Sequence, residues 1–71
     1  STTYANSLYS LADILLVSGK IDSAFLCTQQ VIEMRREILG KYDRSTLQAE
    51  ILLAEIFIHN KNYKDALTIY D

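Results

Sequence analysis

The sequence has no proline and no tryptophan, and holds two glycines, one cysteine and one histidine in 71 residues. With so few breakers there is almost nothing to interrupt a helix, and no Gly/Ser-rich or Pro-rich linker divides the chain into domains. A single cysteine, Cys27, cannot close an internal disulfide, which excludes a small secreted disulfide scaffold and fits a reducing, cytoplasmic setting. The apolar runs Ile14 to Val17, Ala24 to Cys27 and Ile51 to Ala54 fall far short of the ~20 residues of a membrane span, and the start has no signal-peptide pattern. The reading is a soluble chain with no membrane partner. Basic clustering is also missing. Net charge is −2, and the one basic doublet, Arg35-Arg36, has Glu33 and Glu37 close by, which reads as a solvated helix face with local ion pairing. No nucleic-acid footprint is present.

Catalytic signatures are likewise missing: no Gly-rich phosphate loop, no paired Cys or His at ligand spacing, no Gly-x-Ser-x-Gly. His59 has only Glu55 at helical spacing and reads as a polar residue at a helix end. Cys27 reads as a small half-buried filler, and Glu33, Glu37, Glu50 and Glu55 as solvated faces. The expectation is a protein that is not an enzyme, with no catalytic residue, no metal and no cofactor.

What is present is helix, with a hydrophobic share of 49% that is rich for so short a chain. Some apolar surface should stay exposed unless a neighbour covers it. Thr2 or Thr3 can cap a first helix whose apolar stripe is Tyr4, Leu8, Leu11, Ala12 and Leu15, ending near Ser18-Gly19. Asp22 can cap a second, with Phe25, Thr28, Val31, Ile32, Arg35, Ile38 and Leu39 in period until Gly40. Ser45 and Gln48 match a capping box opening a third, which carries Leu47, Ile51, Ala54, Phe57 and Ile58 and stops around Asn60 to Asn62. Asn62 caps a fourth from Tyr63 to Asp71, with Asp65 in its first turn. A fourth helix of about two turns is marginal by itself, so the chain reads as a segment of a longer array.

A shift of 42 places superposes Leu11 on Leu53, Ala12 on Ala54, Ile14 on Ile56, Leu15 on Phe57, Leu16 on Ile58, Ile21 on Tyr63 and Ala24 on Ala66. Aliphatic matches come easily in an apolar chain, but the alanine pair spaced by twelve occurs twice at one offset. Helices of a hairpin approach closely only where a contact residue is small, so Ala12 should face Ala24 and Ala54 should face Ala66. The expected architecture is all-α: two tandem antiparallel helix-turn-helix units, residues 1–40 and 41–71, the second shortened in its second helix.

Leu11-Ala12, Gly19-Lys20-Ile21 and Ala24, then Leu53-Ala54, Lys61-Asn62-Tyr63 and Ala66, resemble the tetratricopeptide repeat, in the 42-residue variety of kinesin light chains. Ile38-Leu39-Gly40 followed by Asp43-Arg44-Ser45-Thr46-Leu47 matches that variety's long second helix and the start of its next unit. The chain departs from the pattern at Asp43-Arg44 in place of His-Pro and at Lys61 in place of glycine. It also has Tyr9-Ser10 and Ile51-Leu52 where asparagines commonly hold a bound peptide's backbone.

The resemblance implies an α-solenoid scaffold for protein binding, its first helices lining a concave face. The matching positions are Asn6, Tyr9, Asp13, Leu16, Val17, Gln48, Ile51, Glu55, Ile58 and His59. Aliphatic centres with polar edges suit a protein or peptide partner. Two other readings stand beside it: Leu16, Val17, Ile51 and Ile58 pack against neighbouring repeats or drive self-association, or the segment is a sensor arm of a larger signalling protein.

Overall fold

The computed structural model describes residues 1–70. They form four helices, α1 (Thr2–Val17), α2 (Ile21–Leu39), α3 (Arg44–His59) and α4 (Tyr63–Tyr70), with no strand among the described residues. Each helix packs on the one before it, and α1 also touches α3. The expected fourth helix is therefore seen to Tyr70; Asp71 lies outside the described residues.

Two short turns set this stacking. After α1, the Gly19 amide donates to the Leu16 carbonyl and the Lys20 amide to the Leu15 carbonyl, with Gly19 at φ +82°. This is the paired closure that a left-handed residue permits at a helix end. After α3, Lys61 donates to Ile58 and Asn62 to Phe57, with Lys61 at φ +63°. The same bonds thus recur at positions 42 residues apart, although one turn has glycine and the other lysine.

The caps differ from the sequence expectation in three places. Ser1, not Thr2 or Thr3, caps α1, its hydroxyl accepting from the Tyr4 amide at 3.1 Å. Lys20 occupies the cap position of α2, because the closing turn of α1 uses only two residues, and Asp22 falls within the first turn. There its charge faces the positive end of the helix dipole. Asp43 caps α3, its carboxylate accepting from the Ser45 amide at 2.9 Å, so Ser45 and Gln48 form no capping box. Gln48 is engaged elsewhere.

The core is built on alanine. Ala12, Ala24, Ala54 and Ala66 are all buried, and Ala12 and Ala24 join Leu16, Leu52 and Ile56 in one cluster. Phe25, packed against this cluster, meets Phe57 with ring centroids 6.0 Å apart and tilted. A second cluster joins Val31 and Ile32 to Ala49, with Leu8, Tyr9 and Leu53 against it. Cys27 is half-buried against the first.

Two expected stripes are met in part: Ala12 and Ala54 are buried, and Leu8, Leu15 and Phe57 half-buried, as expected. On α1 the buried residues are Ala5, Ala12 and Leu16, while Tyr4 and Leu11 are exposed. On α3 they are Thr46, Ala49, Leu52, Ala54 and Ile56, while Leu47, Ile51 and Ile58 are exposed. Apolar residues occur on every side of α3, so several phases satisfy its spacing. Close approach to α2 selects the one containing the small residues Thr46 and Ala49. The Thr46 hydroxyl, fully buried, donates to the Gly40 carbonyl at 2.8 Å and ties the start of α3 to the end of α2.

Candidate functional site

The α1/α3 face is organised by a residue of α2. Arg35 is only 5% exposed, although its sequence context reads as a solvated face. One guanidinium nitrogen, Nη1, donates to the Ser45 carbonyl at 2.7 Å and to Gln48 Oε1 at 3.2 Å. The other, Nη2, donates to Asn6 Oδ1 at 3.1 Å. The guanidinium carbon lies 4.9 Å from the centre of the Tyr9 ring, within cation–π range. Asn6 and Gln48 occupy equivalent places at the 42-residue offset, and one planar fork bridges them.

Its neighbour Arg36 is exposed and pairs with Glu50 of α3 at 2.6 Å, not with Glu33 or Glu37 of its own helix. An exposed pair of this kind contributes about 0.2–1 kcal/mol. The two arginines of the doublet thus do different work: one joins α2 to both flanking helices from inside, and the other joins α2 to α3 at the surface.

Tyr9 is half-buried above Arg35. Its hydroxyl pKa is raised, first by burial and then by the nearby charges of Asp13 and Glu55, with Arg35 acting in the opposite sense. Asp13 and Glu55 are both exposed. The face therefore combines a half-buried tyrosine, a buried cation against its ring and two exposed carboxylates whose charge reaches its hydroxyl.

Of the ten residues expected to line a concave face, Asn6, Asp13, Val17, Gln48, Ile51, Glu55, Ile58 and His59 are exposed and Tyr9 is half-buried. Leu16 is instead part of the core, in the cluster with Leu52 and Ile56. Arg35, absent from that set, draws Asn6, Tyr9 and Gln48 together. The signal for it in the sequence is its place in the period of α2, where it follows Thr28, Val31 and Ile32, all buried.

Two open clefts lie away from these residues. One of about 430 Å³ is walled by Ile32 and Arg36 of α2, Glu50 and Leu53 of α3, and Thr68 and Ile69 of α4. The other, about 260 Å³, lies by the turns between Ile21, Phe25, Ile56 and Phe57. Among the described residues no helix is long and apolar enough to cross a membrane, and no three His, Cys, Asp or Glu side chains gather as metal ligands would. Comparison with family models, curated proteins and solved structures finds no match to this chain.

Proposed function

We propose that the chain is a pair of tetratricopeptide-like units that binds a peptide segment of a partner protein on its α1/α3 face. The observation that carries this reading is the setting of Tyr9: an amphipathic ring, half-buried on Arg35, with the exposed carboxylates Asp13 and Glu55 close enough to act on its hydroxyl. A tyrosine already held in place loses little freedom on binding, and aromatic residues of this kind anchor interfaces.

Asn6 and Gln48 already accept from Arg35, so they act as the frame of the face and not as free clamps for a peptide backbone. Recognition then falls to the acidic pair and to exposed Val17, Ile51, Ile58 and His59. The partner segment this favours is basic, with an apolar residue beside its Lys or Arg. The reading gives no residue a catalytic role, and a cytoplasmic setting belongs to the proposal.

Selection from a displayed peptide library tests it. Selected peptides should be rich in Lys or Arg, should weaken as salt is raised, and should lose about tenfold or more in affinity to the Asp13→Ala, Glu55→Ala double variant. Selection of no peptide, or binding that the double variant leaves unchanged, overturns the reading.

A further inference from the structure

The cleft beside the two turns differs in kind from the α1/α3 face. It measures about 260 Å³ and lies between the start of α2, the end of α3 and the residue before α4. Its apolar lining is Ile21, Phe25, Ile56 and Phe57, the two rings 6.0 Å apart, tilted and only half-buried. Its polar lining is Asp22, Asn60 and Asn62, all exposed. Asp22 is the one charge in that lining. Lys20 and Lys61 stand in the neighbouring turns but do not line the cleft, and among the described residues the ion pair is that of Arg36 with Glu50, so Asp22 has no cation of its own.

The repeat does not account for this set of residues. At the 42-residue offset Asp22 and Phe25 correspond to Lys64 and Leu67, Phe57 to Leu15, and Asn60 and Asn62 to Ser18 and Lys20. Leucine holds two of the equivalent positions, so the rings, the carboxylate and the amides are particular to this junction. All of the lining falls between positions 21 and 62, well inside the chain.

We propose that this cleft binds a small organic cation, an ammonium group carried on a compact aromatic or alkyl body. A carboxylate beside two part-exposed rings draws positive charge from both sides, since a ring attracts a cation through its quadrupole and the Asp22 oxygens through their charge. The Asn60 and Asn62 side-chain oxygens can accept the remaining ammonium N–H groups. The apolar body then displaces water from Ile21 and Ile56. The volume falls below the ~300–1,000 Å³ of sites for drug-sized ligands, so the body is limited to about one ring. An anion would meet the Asp22 charge unfavourably, and a neutral molecule would gain nothing from it. The site is separate from Tyr9, Asp13 and Glu55, and the inference is independent of peptide binding there.

Titration with benzylammonium, followed by the chemical shifts of individual backbone amides, tests it, with benzyl alcohol as the neutral counterpart. Benzylammonium should shift the amides of Asp22, Phe25, Phe57, Asn60 and Asn62 saturably, with a Kd of about 1–10 mM, and benzyl alcohol should bind at least about fivefold more weakly. Asp22→Asn keeps the shape of the side chain at an exposed position, and Phe25→Leu installs the residue found at the equivalent place in the second unit, so both should stay helical by circular dichroism. Each should weaken benzylammonium about fivefold or more. No saturable shift below about 50 mM overturns the proposal. So do shifts confined to the amides around Asp13 and Glu55, benzyl alcohol binding as tightly as the cation, or a helical Asp22→Asn or Phe25→Leu chain that binds as its parent does.

Discussion

A guanidinium that is 5% exposed and faces only neutral oxygens and a ring is accommodated because the fork is filled from several directions. Arg35 draws its partners from both neighbouring helices: Asn6 and Tyr9 from α1, Ser45 and Gln48 from α3. Arg35→Ala strands the Gln48 and Asn6 side chains and the Ser45 carbonyl together and opens a void. We expect it to cost about 2–4 kcal/mol of unfolding free energy in a urea titration. Arg35→Lys should recover only part of that, since one ammonium cannot span Asn6 and Gln48 as a planar fork does. A loss below about 0.5 kcal/mol for the alanine variant would show that these contacts carry no stability. The position of Arg35 in the period of α2 was readable from the chain, but its partners were not. A neighbouring Glu33 and Glu37 gave it a complete local account, whereas the groups it touches lie 10 to 29 residues away.

At the scale of the elements, the turns carry most of what the sequence states openly. Gly19, Gly40 and the polar Asn60-Lys61-Asn62 run mark where helices end, and the helices end there. Caps were harder to place, because two-residue turns let one residue close one helix and open the next, as Lys20 does. The α3 stripe was ambiguous for a different reason: a helix apolar on every side has no phase of its own until its neighbours choose one. Two measurements follow at this scale. Lys61 holds the left-handed conformation that glycine adopts at no steric cost, and its turn is hydrogen-bonded as the Gly19 turn is. Lys61→Gly should therefore raise stability by about 1 kcal/mol, seen as a higher urea midpoint; a lower midpoint would mean that the lysine side chain contributes something the turn geometry does not show. Asp43→Ala should cost about 1 kcal/mol through loss of its bond to the Ser45 amide, while Ser45→Ala, which leaves that bond intact, should fall within about 0.5 kcal/mol of the parent. The reverse order would restore Ser45 as the cap.

For the whole molecule, stability in a stack of this kind comes from each unit and from the contact between neighbours. Among the described residues one such contact is present, and it centres on Leu52 and Ile56 entering the α1–α2 groove. The chain contains its own control for that contact, since Ile14 and Ile56 are the same residue at equivalent places, one exposed and one buried. Ile56→Ala removes atoms from a closed core and should cost about 2–5 kcal/mol, a large part of what a domain this small can hold. Ile14→Ala removes the same atoms from open surface and should change the stability of the dilute monomer by less than about 0.5 kcal/mol. The difference between the two, taken from urea titrations at a concentration where the chain is monomeric, measures what stacking adds to an otherwise identical side chain. Similar losses at the two positions would mean that Ile14 is as well covered as Ile56, against its 62% exposure.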